Sequence, residues 1–185
     1  MEIKTNRLLL RHFCECDIQS FYELMKDEEV NTYLPWFIPN TIEEARVLFV
    51  DYIENKKAEH VALCRVEDNK AIGYINISKD ESHDFGYGLR KEYWHQGMVS
   101  EACSAILPYI EKNYPFITAT HDIKNIHSGH VMKKIGMKYQ YTYVEQWMPK
   151  NIEVHFRMYQ LNFKEDIPTF MKYWDLYEMR YVEQL

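Results

Sequence analysis

Three short strand-like stretches in close succession, His60–Glu67, Lys70–Ser78 and Asp84–Arg90, run into one long helical repeat. This order constrains the fold more than any other feature. Asp68-Asn69 is a turn signal between the first two stretches, and the polar run Lys79–His83 separates the second from the third. From Val99 onward the apolar residues fall at Ala102, Cys103, Ile106, Leu107 and Ile110. That spacing, i, i+3, i+4, i+7, i+8, i+11, belongs to a helix that lays one face on a core.

The flanking sequence extends the pattern. Arg7–Phe13 reads as a first strand, and Asp17 is placed to cap a helix whose apolar stripe includes Ile18, Phe21, Tyr22 and Met25. After a Pro-bounded aromatic loop, Thr41-Ile42-Glu43-Glu44 has the form of a capping box and opens a second helix. Downstream of the helix at about 99–113, Phe116–Asp122 reads as a strand and Asn125–Ile135 as a helix ended by Gly136. Met137–Glu145 and Val154–Leu161 are the last two strands. The order β-αα-βββ-α-β-α-ββ predicts an α/β (α+β) domain over residues 1–163, with a mixed sheet and helices on both faces. In residues 164–185, Ile167, Phe170, Met171, Trp174, Tyr177 and Tyr181 form a helical apolar stripe. This predicts a C-terminal helical extension packed on the domain or on a homodimer mate, or else gating substrate.

Composition excludes several classes. A chain of 185 residues, 46% hydrophobic with only six Gly and six Pro, can bury a full core and is not linker-rich. No apolar run reaches membrane-span length and no signal-peptide core is present, so the expected location is cytoplasmic. A net charge of −6 argues against nucleic acid as a partner. Cys14 and Cys16, with His12, His127 and His130, raise a zinc reading. The Cys-x-Cys spacing and the lack of a second pair argue against it, so no metal is expected and the thiols should be reduced.

Gly97 sits in the turn that opens the long helix. The first N–H groups of a helix lack helical partners and the macrodipole is positive there, so phosphate is attracted. A glycine lets backbone approach such a ligand. Most junctions of this kind serve structure alone, so the turn by itself leaves both readings open.

Four segments carry a resemblance. They are Thr5-Asn6-Arg7-Leu8-Leu9-Leu10-Arg11, Asp84-Phe85-Gly86-Tyr87-Gly88-Leu89, Tyr93–Ala102 and Asn125–Met137. In this order they resemble the GNAT superfamily of acyl-CoA-dependent N-acyltransferases, nearest to the branch of ribosomal-protein N-terminal-alanine acetyltransferases. The resemblance implies a mostly antiparallel, twisted sheet of six to seven strands. It further implies acetyl-CoA as co-substrate, with its pantetheine arm along the strand ending at Leu89. The pyrophosphate would lie on the N–H groups of His95, Gln96, Gly97, Met98, Val99 and Ser100, with the Ser100 hydroxyl near. Asn125 matches the asparagine that orients the cofactor arm, and Ser128 a hydroxyl proposed to protonate the departing thiolate. His95 replaces the first turn glycine, Val99 stands where Gly or Ala is usual, and the superfamily's acid tyrosine falls at Met132.

Acyl transfer to an amine requires removal of the ammonium proton. Glu145 and Asp84 are the candidate bases, with His83 and His155 behind them; each carboxylate could equally be a solvated surface group. Ser128 could equally back-bond within its helix. Tyr33, Trp36 and Phe37 fall in the loop that borders the acceptor cleft in the family, though they serve core packing equally well. The expected acceptor is a small-molecule or peptide amine. The rival readings are a non-catalytic CoA-binding or sensing module, and an interaction protein built on the aromatic C-terminal segment.

Overall fold

In the computed structural model, which describes residues 1–185, alternation along the strands decides the first sheet. In chain order the elements are β1 (Glu2–Lys4), β2 (Leu8–His12), α1 (Ile18–Met25), α2 (Glu28–Asn31), α3 (Ile42–Glu54), β3 (Ala58–Arg65), β4 (Ala71–Ser78) and β5 (Phe85–Leu89). They continue with α4 (Met98–Asn113), β6 (Phe116–Asp122), α5 (Ile126–Lys134), β7 (Lys138–Trp147), β8 (Ile152–Asn162), α6 (Lys172–Leu176) and β9 (Arg180–Tyr181). Central strand β3 is buried on both faces. Val61 and Leu63 point into the main core with α4, while Ala62 and Cys64 point the other way, towards Leu9 and Phe13. On that second face α1 and α3 bring Phe21, Leu24, Met25 and Phe49 against Tyr74 of β4. No helix is long and apolar enough to cross a membrane.

Helix α4 follows the apolar spacing: Ala102, Cys103, Ile106 and Ile110 are fully buried. It also contains Pro108, which removes one helical hydrogen bond at a cost of about 3 kcal/mol. Burying Ile106 and Ile110 contributes about 1.5–3 kcal/mol each, so packing keeps the helix whole across the proline.

The strands form two sheets, ordered β1-β2-β3-β4-β5 and β6-β8-β7-β9, with every pair antiparallel. They meet at one parallel bridge, Asp84 to Thr118. Past that point β5 and β6 are no longer paired. β5 keeps β4 on one side, from Ile77 opposite Phe85 to Gly73 opposite Leu89, and its other edge is free. The wedge so formed is where α4 begins and α5 packs.

Nine strands replace the expected six to seven. The additional strands β1 and β9, of three and two residues, are too short for alternation to reveal. The C-terminal segment is not the expected continuous helix: only Lys172–Leu176 is helical, and β9 pairs with β7 instead. The reason lies in its aromatics, which are spent on a flat sheet face. Tyr173 and Tyr177 stack on Tyr143 with centroids 5.1 and 4.8 Å away, and Tyr141 donates to the Phe170 carbonyl at 2.7 Å. Glu183 ties down the end, accepting from Thr142 and Arg157. The segment thus covers the β7–β8 face of its own chain.

Two local expectations also change. Asp17 does not cap α1 with its side chain; the carboxylate is held by Arg11 at 2.7 Å and instead accepts from the Cys14 N–H at 3.0 Å, closing a capping box on the 3-10 turn Glu15–Asp17. Cys14 and Cys16 are disulfide-bonded rather than reduced, their Cα atoms lying 5.3 Å apart, within the reach of such a bond. The Thr41 cap is present, accepting from the Glu44 N–H at 3.2 Å, but Glu44 reaches back to the Asn40 N–H.

Because Tyr143 is the residue on which the C-terminal segment stacks, Tyr143→Ala should lower unfolding free energy by about 3 kcal/mol or more. Urea denaturation measures the loss, and limited proteolysis should then cut first within residues 164–185. Unchanged stability with a protected C-terminus would contradict this packing.

Candidate active site

The wedge between β5 and β6 holds a cavity of about 550 Å³. One end is the turn before α4. There His95 and Gly97 both adopt left-handed backbone, with φ of 58° and 73°. Gly97 takes this conformation at no steric cost; His95 does not. The double twist leaves the N–H groups of His95, Gln96, Gly97, Met98, Val99 and Ser100 without a hydrogen-bond partner in the protein; the first helical bond is Glu101 N–H to Gly97 C=O. Orphan amides at a helix N-terminus suit an anion. His95, Gly97, Met98, Val99 and Ser100 line the cavity, whereas the Gln96 side chain turns away and bonds the Glu92 carbonyl.

No lysine or arginine lines the cavity; its charged walls are the carboxylates of Glu29, Asp84 and Asp122. Any phosphate bound here would therefore be held chiefly by amide dipoles. A helix N-terminus contributes about 0.3–1 kcal/mol to an anion at an exposed site and about 2 kcal/mol when partly buried.

The middle of the cavity is the free edge of β5 facing α5. Leu89 lines it, with its carbonyl accepting from Trp94 Nε1 at 2.8 Å. Asn125 also lines it and serves as the N-cap of α5, its Oδ1 accepting from the Ser128 N–H at 3.2 Å. Its amide Nδ2 makes no hydrogen bond within the protein. Ser128 does not back-bond within its helix. Its hydroxyl lies 3.1 Å from the Tyr87 hydroxyl, which also donates to the Ser128 carbonyl at 2.7 Å. Burial raises the Tyr87 phenol well above its usual range, so it keeps its proton. Met132 lines the wall and offers no proton.

At the far end, Asp84 stands where the two sheets join. It is only half-buried, opening on the cavity, yet its Oδ1 is shielded from solvent and has no partner in the protein. Burial pushes its pKa up to about 7, with the nearby charge of Asp80 adding to the rise. Trp147 and Phe156 wall this end, and Tyr33 and Trp36 come from the loop before α3. Trp36 Nε1 is likewise buried and unpartnered.

The sequence-derived residues therefore divide. The turn residues other than Gln96 share one cavity with Leu89, Asn125, Ser128, Asp84, Tyr33 and Trp36. Phe37 is 64% exposed and lies outside it. Glu145 is also outside the lining; it is half-buried on β7, burial raising its pKa while the Tyr177 hydroxyl opposes the rise. His83 packs on Tyr114 and Phe116, and His155 bonds the Tyr181 hydroxyl at 3.0 Å. Sequence reasoning passed over Tyr87, Trp147 and Phe156. Tyr87 carried a signal, since it shares a strand face with Phe85 and Leu89. Trp147 and Phe156 carried none, because only β7–β8 pairing brings them to the wedge.

Comparison with known proteins bears on this geometry. Residues 7–138 match the sequence profile of the acetyltransferase (GNAT) domain. YnaD, an uncharacterized N-acetyltransferase of Bacillus subtilis (strain 168), is 35% identical over 158 residues, spanning 83% of this chain and 91% of its own. A solved acetyltransferase (GNAT family) from Bacillus anthracis is 28% identical, with a TM-score of 0.78 over 89% of this chain and 100% of its own. The spermidine N-acetyltransferase of Vibrio cholerae, solved with CoA and spermine, is 15% identical and shares the fold, with a TM-score of 0.73 over 85% of this chain and 96% of its own.

Burial raises the Asp84 pKa, so ionising this group costs the folded state stability as pH climbs from the ordinary aspartate range to about 7. Carboxyl carbon NMR should find one aspartate with a midpoint near 7, absent in Asp84→Asn. If every aspartate titrates below about 5, the environment described here is wrong.

Proposed function

Because the chain belongs to the GNAT acetyltransferase family, we propose that it transfers an acetyl group from acetyl-CoA to a primary amine, with both substrates held together in the wedge. The observation that carries this reading is the row of partnerless amides from His95 to Ser100, opening onto the same cavity as a carboxylate poised near neutral pH. The residues fit the co-substrate. The amides suit a diphosphate, and the free edge of β5 offers backbone groups to an extended arm, as an added strand would use them. The space over Gly86 is also open, a Cβ there meeting nothing within 4 Å. When bound, acetyl-CoA supplies an activated thioester.

The protein's own residues do the rest. Asp84 accepts the proton of the ammonium, giving a neutral nitrogen nucleophile. Burial leaves this carboxylate basic enough to hold that proton. Ser128 donates its hydroxyl proton to the leaving sulfur and regains one from solvent, while the adjoining Tyr87 hydroxyl, kept protonated by burial, holds Ser128 in place. Asn125 orients the arm through its free Nδ2. Tyr33, Trp36, Trp147 and Phe156 exclude water and flank the acceptor. Glu145 is set aside as base because it does not reach the cavity. Residues 1–163 form the catalytic domain, and 164–185 brace its second sheet.

The acceptor class is a peptide N-terminus or small amine, and the quoted segments point towards the ribosomal-protein N-terminal-alanine branch. Three wall carboxylates and no wall cation suit an acceptor that arrives positively charged. The sensing alternative draws on Met132, which is 1% exposed and cannot replace the superfamily's acid tyrosine.

Incubation with acetyl-CoA and a panel of peptides, polyamines and amino-sugars should release free thiol with at least one class. Tight CoA binding with no release from any amine would favour the sensing module. The kcat/KM profile should rise with pH to a plateau above about 7, because the base works unprotonated. Asp84→Asn should remove that limb and lower kcat/KM by about 10²–10⁴-fold. An unaltered limb would transfer the role elsewhere. Ser128→Ala should reduce kcat more than CoA affinity, and wild-type values of both would end its assignment as acid.

A further inference from the structure

The Thr5-Asn6-Arg7 segment has no part in the chemistry so far, and neither does Glu101 in the first turn of α4. The structure joins them. The Thr5 hydroxyl donates to Glu101 Oε1 at 2.6 Å, and the Arg7 N–H to the same oxygen at 3.2 Å. The Arg7 guanidinium grips Glu101 Oε2 through Nε at 2.7 Å and Nη2 at 2.6 Å. Its remaining arm, Nη1, donates to the Gln96 carbonyl at 2.9 Å. A guanidinium can do all this at once because its donors form a planar fork.

Two consequences follow. The first is geometric. A trans peptide is planar, so its C=O and the following N–H point in opposite directions. Holding the Gln96 carbonyl on Arg7 fixes the Gly97 N–H pointing the other way within that plane. Gly97 lines the cavity and Gln96 does not. The second is electrostatic. Burial would raise the Glu101 pKa, but the hydrogen bonds from Thr5 and Arg7 outweigh it and the group stays ionised. A bare carboxylate one turn into α4 would repel a diphosphate on the amides; the guanidinium beside it cancels that charge.

We propose that Arg7, clamped by Glu101, is a positioning residue for the cofactor's diphosphate, aiming the Gly97 amide and neutralising the carboxylate in the helix's first turn. The inference rests on the acetyl-CoA reading above. It concerns a side chain outside the cavity lining, so direct contact with the cofactor is not required.

Steady-state kinetics with two acetyl donors tests it: acetyl-CoA, and acetyl-pantetheine, which has no phosphate. In Arg7→Ala the KM for acetyl-CoA should rise about tenfold or more with little change in kcat, while kcat/KM for acetyl-pantetheine stays at the wild-type value. Glu101→Gln keeps Arg7 and removes the negative charge, so the KM for acetyl-CoA should hold or fall. The double variant Arg7→Ala/Glu101→Gln should recover part of what Arg7→Ala loses, and Arg7→Lys should fall between Arg7→Ala and wild type. A purely structural brace predicts otherwise: both donors would suffer alike, and Glu101→Gln would also weaken acetyl-CoA use. Either result overturns the inference. Should Arg7→Ala fail to fold, Arg7→Lys and Glu101→Gln decide the matter by the same comparison. If the wild-type protein turns over acetyl-CoA but its KM is unmoved in Arg7→Ala, this inference alone fails. If the wild type uses no acetyl donor and binds no CoA, the acetyltransferase reading fails and carries this inference with it.

Discussion

The two sheets pair with each other at a single bridge, Asp84 to Thr118, and share one apolar core, while the parting of β5 from β6 beyond the bridge opens the wedge. A sheet normally satisfies both edges of an interior strand. Here β5 has a neighbour on one side only, so its backbone keeps hydrogen-bonding capacity on the other. The same parting makes room for α5 and aims the start of α4 at the gap. It also places Asp84 at the apex, where neighbouring strands desolvate its carboxylate. The free edge of β5, the partnerless amides at the start of α4 and the desolvated carboxylate of Asp84 are therefore consequences of one topological choice.

The electrostatics of the cavity are unusual for a site that would take a polyanion. Its walls carry carboxylates and no lysine or arginine, so attraction at the turn depends on unpaired amides and the helix dipole. Fixed dipoles need no reorganisation on binding, but they must be aimed. The backbone there is turned by a left-handed pair, His95 and Gly97, and the Arg7 guanidinium bonds the Gln96 carbonyl between them. The far end of the cavity differs: there the Asp84 carboxylate has little solvent, and burial raises its pKa.

Much of this was legible from the residues. Apolar spacing from Val99 to Ile110 placed α4 within a residue of its observed start, and the three strands before it stand within a few residues of their expected ends. Gly97 marked the turn because left-handed backbone favours glycine; His95 in the same conformation gave no sign, since a histidine there carries no local signature. The short strands β1 and β9 are visible only through their partners. The C-terminal segment misled because aromatic residues at helical spacing equally suit stacking on a sheet, and only Tyr143 opposite them settles which occurs. Glu145 and Asp84 looked alike in sequence as carboxylates near strand ends. Tertiary placement separates them, one at the apex of the wedge and the other outside it.

The most direct measurement is a crystal structure of the protein with acetyl-CoA. The account predicts diphosphate oxygens within hydrogen-bond distance of backbone nitrogens between His95 and Ser100, the arm running along the free edge of β5, and the acetyl group near Asp84. Density for the nucleotide thioester at any other place on the molecule, with the wedge closed or filled by solvent, would contradict it.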